Sequence, residues 1–206
     1  MNDLTSHKTH KIQIAKKFEN GVYFMCEMCG ACCRGFKEGE VYIYPDDVKK
    51  LAKHLNVKGN SELREFTKKY FKVVDDSFFW KEPGALRAKT YRYKTLGFKF
   101  IGDDEHCQFL KDNKCTIHEA RPFQCRAFPI GWNMLINSVK NFIDYSKKCP
   151  ALHNSLENKG KFYSKEEILK WASEEYEIEK NFFFKMKKND FNILKVYSFL
   201  PKDMVS

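Results

Sequence analysis

The sequence predicts an α+β fold with a small, irregular cysteine-rich core of short strands and hairpins, flanking helices and a C-terminal helical extension. Three observations carry that expectation. All eight cysteines fall between residues 26 and 149. Apolar residues recur at helical spacing around residues 48–55 and again after residue 164. Between them, aromatic and β-branched runs are broken by turn-forming Gly, Pro and Asn.

A chain of 206 residues, 43% hydrophobic and 16% aromatic, can build one well-buried domain with an appendage. Composition divides it into a flexible basic arm at 1–20, a cysteine-cluster metal-binding domain at 21–150 and a helical extension at 151–206 packed on that core. No stretch reaches the roughly 18–20 apolar residues of a membrane helix. The segment Lys8-Thr9-His10-Lys11-Ile12-Gln13-Ile14 lacks the apolar heart of a signal peptide. The expected protein is therefore cytoplasmic, with no membrane partner.

Val41-Tyr42-Ile43-Tyr44 reads as a short strand, and Pro45-Asp46-Asp47 suits the first turn of a helix. Val48, Leu51, Ala52 and Leu55 give that helix one apolar face. Ser61 opens a second helix to about Phe71, with Leu63, Phe66 and Tyr70 on one side. From Phe78 to Ile101 the pattern turns to short strands or a hairpin, interrupted by Pro83-Gly84 and Gly97. Cys107 and Cys115 flank the turn Lys111-Asp112-Asn113-Lys114, a knuckle with a cysteine on each arm. Pro122 permits only a short helix around Arg121–Arg126, and Met134 to Tyr145 reads as a strand pair. Ser164-Lys165-Glu166-Glu167 matches a capping box before a helix carrying Ile168, Ala172 and Tyr176.

In a reducing compartment eight cysteines point to metal rather than to disulfides. Cys26, Cys29, Cys32 and Cys33 form C-x2-C-x2-C-C, and Cys107, Cys115, Cys125 and Cys149 complete the set. Two-residue spacing lets thiolates converge on one centre, in zinc knuckles and iron–sulfur loops alike. The first two spacings, Cys26-x2-Cys29-x2-Cys32, and the pair Cys149-Pro150 match parts of a bacterial ferredoxin run, whose x3 gap is absent. Zinc and an iron–sulfur cluster therefore both stand as the cofactor. Adjacent Cys32 and Cys33 have diverging side chains, so they serve different centres or one is a reactive thiol beside the metal.

Charge follows the cysteines. Residues 21–150 hold 23 basic and 16 acidic side chains, against ten and nine in residues 151–206. Eight thiolates would offset that surplus, so the basic character has an explanation without nucleic acid. Arg87-Ala88-Lys89-Thr90-Tyr91-Arg92-Tyr93-Lys94 interleaves basic and aromatic residues as single-strand nucleic-acid surfaces do, but a solvated strand with packed tyrosines explains it as well. His106 and His118 lie near cluster cysteines and would each complete a Cys3His site, although a loop role is the simpler reading. Arg121 and Arg126 are candidates to donate to cluster sulfurs, backbone carbonyls or a substrate anion. No Ser-His-Asp set, phosphate loop or paired carboxylates can be defended.

Phe24-x-Cys26-x2-Cys29-Gly30-x-Cys32-Cys33, Cys107-x-Phe109-Leu110, Cys115-x-Ile117, Arg121-Pro122-x2-Cys125-Arg126-x-Phe128-Pro129 and Cys149-Pro150 closely resemble the CxxCxxCC family of zinc- or iron-chelating cysteine-cluster proteins. The resemblance spans residues 24–150 and implies metal chelation with the ion left open. The motif set is shared with flagellin lysine N-methylases, so the resemblance also admits a cluster-dependent protein-modifying enzyme with a protein substrate or partner. His118 and Ala151 depart from the tyrosine-like and glycine residues usual there, and neither removes a ligand. A zinc-stabilised nucleic-acid adaptor is the remaining alternative.

Overall fold

The computed structural model describes residues 12–34, 40–131, 135–136 and 139–205. In chain order its strands are β1 (Val22–Phe24), β2 (Tyr42–Ile43), β3 (Phe71–Trp80), β4 (Lys89–Phe98), β5 (Phe100–Ile101), β6 (His106–Cys107), β7 (Leu110–Lys111), β8 (Lys114–Cys115) and β9 (Lys161–Tyr163). Its helices are α1 (Pro45–His54), α2 (Gly59–Tyr70), α3 (Phe123–Ala127), α4 (Lys140–Ser146), α5 (Pro150–Leu156), α6 (Lys165–Lys188) and α7 (Ile193–Val196). This is the mixed α+β architecture that the sequence implies. The chain divides into two compact units, one of Met1–Met25 with Ala127–Glu174 and one of Cys26–Arg126 with Glu175–Ser206.

The first unit pairs β1 antiparallel with β9, Val22 opposite Tyr163. The Phe18 and Phe142 rings stand 4.9 Å apart in its core, with Leu135, Leu152, Ile168 and Ala172 also buried. Of the expected arm, residues 1–11 lie outside the described residues. Residues 12–20 carry the turn Lys16–Phe18 with Phe18 buried, and the Ala15 N–H donates to the Leu135 carbonyl at 3.0 Å. The expected strand pair over Met134 to Tyr145 is corrected: residues 140–146 form α4, while Met134, Asn137 and Ser138 lie outside the described residues. Ser164 caps α6 as the sequence indicates, its N–H donating to Glu167 Oε2 at 2.9 Å and its Oγ accepting the Glu167 N–H at 3.3 Å.

The second unit is built on a three-stranded sheet in the order β2-β4-β3. β3 and β4 form one long hairpin paired from Phe71–Phe98 to Trp80–Lys89, turning at Pro83-Gly84. The strand thus begins seven residues earlier than the sequence pattern indicates, because α2 runs directly into it. Val48, Leu51 and Ala52 of α1 are buried, whereas Leu55 closes the helix half-exposed. Phe182, Phe183 and Met186 of α6 join Phe78, Tyr93 and Leu96 of the sheet in one core. Tyr93 is buried and Tyr91 stacks at 5.9 Å on Phe191, so the tyrosines of the basic stretch serve packing. The fully buried Tyr197 donates its hydroxyl proton to the Ile43 carbonyl, 2.8 Å away, and pairs with Thr95 Oγ1 at 2.8 Å. Among the described residues no helix is long and apolar enough to cross a membrane.

Asp76 on β3 and Glu175 and Glu179 on α6 are carboxyls that burial holds well above their ordinary range. Burial pushes Glu175 up to about 8, helped by Glu179, and Glu179 up to about 7, helped by Asp76. Asp76 rises to about 6 through burial, less a hydrogen bond received from the Ser77 N–H at 2.7 Å. The folded chain keeps these protons after the unfolded chain has lost them, so stability falls as pH rises from about 4 to about 8. We expect the melting temperature to drop by roughly 5–10 °C between about pH 5.5 and 8.5. Glu179→Gln and Glu175→Gln should flatten that slope in thermal scans. An unchanged slope in both variants would contradict the assignment.

Candidate metal centre

Seven of the eight cysteines belong to the second unit, and these seven are free thiols. The loop at 26–33 reaches its cysteines through a tight bend. Gly30 has φ 73°, left-handed backbone that favours glycine, and a Cβ there would stand 2.8 Å from Arg34 Nη1 and 3.1 Å from Leu110, so both side chains would have to shift. The 3-10 turn Ala31–Cys33 follows, closed by the Cys33 N–H donating to the Gly30 carbonyl at 3.0 Å. Cys107 ends β6, paired with Phe100, and Cys115 ends β8, paired with Leu110. The expected single knuckle is therefore two successive hairpins, each lending one cysteine. Cys125 is carried by α3, which Gln124 ties to β2: its Oε1 accepts the Tyr42 N–H at 2.9 Å.

These elements bring Cys33, Cys107, Cys115 and Cys125 into one neighbourhood. Burial pushes the Cys107 thiol up to about 12, with Cys33 and Cys115 adding to the rise. Burial also raises Cys115 and holds Cys125 well above the thiol range, and Cys107, Cys33 and Cys115 push Cys125 further. Cys32 and Cys33 share a hydrogen bond, which raises Cys32 and lowers Cys33 to about 7; the Arg121 and Arg34 guanidinium groups pull Cys33 the same way. Cys26 lies within electrostatic reach of Cys32, and its sulfur accepts the Met28 N–H at 3.4 Å. Cys29 is half-buried on the same loop. Cys149 lies in the first unit, buried at the start of α5, where its N–H donates to the Tyr145 carbonyl at 2.9 Å.

Of the two arginines singled out by sequence, Arg121 stands where its charge lowers Cys33, Cys115 and Cys125, and its Nε donates to the His118 carbonyl at 3.0 Å. Arg126 is exposed and lies over the Phe123 ring at 5.4 Å. His118 is exposed on a 3-10 turn. His106 Nδ1 is held by Asp104 Oδ1 at 2.6 Å. Sequence reasoning passed over Arg34, Asp104, Asn113 and Gln124. Arg34 carries a visible signal, a guanidinium directly following Cys32-Cys33; the other three become recognisable only once the hairpins are folded.

Among the described residues no three His, Cys, Asp or Glu side chains are already arranged to hold a metal ion. The donor chemistry nevertheless fits one: thiols are soft ligands suited to zinc and iron, and four of them share one neighbourhood. This donor set is that of a cysteine-based metal-chelating protein. Residues 25–150, well over half of the chain, match the family model CxxCxxCC, described as a putative zinc- or iron-chelating domain, and the chain belongs to that family. No solved structure matches it.

Proposed function

We propose that the protein binds zinc or an iron–sulfur cluster through Cys26, Cys29, Cys32, Cys33, Cys107, Cys115, Cys125 and Cys149, in a reducing, cytoplasmic compartment. The meeting of Cys33, Cys107, Cys115 and Cys125 from separate stretches of one unit supports this reading most directly. Cys107, Cys115 and Cys125 also pack against the aromatic core, where burial and their mutual repulsion keep them protonated while no cation is bound. A bound metal would supply the positive charge against which they ionise. The chain's own part is to fix the sulfurs: the β5–β6 and β7–β8 hairpins hold Cys107 and Cys115, α3 holds Cys125, and Arg121 offsets part of their negative charge. Cys149 enters as a ligand on the family pattern. Cys26 and Cys32 are exposed, which suits exchange of metal with a protein partner.

Anaerobic purification followed by metal and acid-labile sulfide analysis decides between the two cofactors. Iron with matching sulfide marks a cluster, zinc without sulfide marks a zinc site, and a reduced protein that retains neither defeats the proposal. Single Cys→Ser changes apportion the ligands. Cys107→Ser, Cys115→Ser and Cys125→Ser are expected to lose most of the bound metal, and one of Cys32→Ser and Cys33→Ser to keep it, because adjacent side chains diverge. Equal loss in all eight variants would rule out a spare thiol.

A further inference from the structure

Arg34 joins the cysteine loop to both hairpins. Its Nη2 donates to Asn113 Oδ1 at 3.1 Å, in the β7–β8 turn, and its Nε lies 3.4 Å from Asp104 Oδ2, in the β5–β6 turn. Its backbone forms an antiparallel bridge with His106, whose ring Nδ1 lies 2.6 Å from the other oxygen of Asp104, Oδ1. Bridge partners share a face, and the next residue along a strand points to the opposite one. Arg34, Asp104 and His106 therefore make a polar face, and Cys107 turns away from it. This arrangement separates His106 from the thiols and assigns it to the grip on Asp104.

From this geometry we propose that Arg34, gripped by Asp104 and Asn113, is a latch that holds the cysteine loop 26–33 against the two hairpins and sets how fast metal is exchanged. The inference rests on the metal-binding reading above and adds a moving part to it. Asp104 is open to solvent and Arg34 and His106 partly so, with side chains 55%, 31% and 29% exposed. Ion pairs so exposed are weak and screened by salt, as a reversible closure requires. Opening carries Cys33 away from Cys107 and Cys115, and the thiols left behind, with too few partners, yield their ion to a competing thiol or chelator. Arg34 is thus a positioning residue, acting through the cysteines it places.

The test uses the full chain loaded with Zn2+ and challenged with excess chromogenic chelator. Arg34→Ala is expected to release zinc about ten-fold faster than wild type while binding the same amount at saturation, with Asp104→Asn and Asn113→Ala in between and Arg34→Lys partly restoring retention. Wild-type release should quicken with added salt, and that dependence should disappear in Arg34→Ala, a readout that a merely structural role would not move. Wild-type release rates in the variants, or salt-independent release in the wild type, overturn the latch. Should Arg34→Ala fail to fold, Asp104→Asn and Asn113→Ala, changes in exposed turns, decide by the same criterion. A wild-type chain that takes up neither zinc nor iron overturns the metal reading, and the latch with it.

Discussion

Protein stripped of metal under reducing conditions will melt at least about 10 °C below the loaded form, and its thiols will become reactive over the same temperature range. Apart from α3 and the start of α5, the cysteine-bearing segments are two-residue strands and single turns, with left-handed backbone at Met28, Glu105, Asp112 and Asn113. Each such residue costs on the order of 1–3 kcal/mol and persists only where its surroundings fix it. Metal ligation to cysteines contributes on the order of 10 kcal/mol in small zinc modules, enough to dominate segments with so little ladder of their own. The aromatic core under the β3–β4 hairpin is built mainly from Phe78, Tyr93, Leu96, Phe182, Phe183 and Met186, none of them a proposed ligand, so most of the far-UV circular dichroism should survive stripping while thiol titration changes. Coincident melting of the stripped and loaded proteins would show that the cysteines bear no structural load.

Phe183→Ala should lower the melting temperature of both forms, by about 10 °C. The ring is fully buried, stacks on Phe78 at 4.8 Å and approaches Tyr91 at 5.2 Å, so its removal leaves a cavity between α6 and the hairpin. Truncations of this kind cost roughly 3–5 kcal/mol, and each kcal/mol moves the midpoint by about 2–4 °C in a chain of this size. The two experiments separate the two sources of order: metal removal acts on the cysteine segments, Phe183→Ala on the sheet and α6. A loss confined to the loaded form would mean that Phe183 acts through the metal centre instead.

Local signals in the sequence reported local structure well. The proline and acids before Val48 announced α1, and the reciprocal Ser164 and Glu167 bonds realise the capping box. Pro83-Gly84 marked the hairpin turn, whose strands extend further than expected because α2 passes into β3 without a breaker. Local pattern places Cys107 on an arm of the Lys111–Lys114 turn, whereas it pairs with Phe100, a partner outside that window. The strand pair expected near Tyr145 was α4, an ambiguity typical of short apolar runs. At the metal centre the cysteines were legible by spacing. The groups that place them, Arg34 through Asn113 and Gln124 through Tyr42, act across 79 and 82 residues and left no periodic trace.

The second unit is discontinuous, and that fixes an order of events during synthesis. Cys26 through Cys125 emerge first, but Phe182, Phe183, Met186, Tyr197 and Leu200, which complete the core beneath their hairpins, are made after the last cysteine, Cys149. At ribosomal rates the interval is on the order of seconds. A nascent chain therefore presents its full complement of thiols before the floor that orders them exists, and is exposed to oxidation or to capture of the wrong ion throughout that delay. Cutting the chain at residue 150, where the family match ends, would make this transient condition permanent.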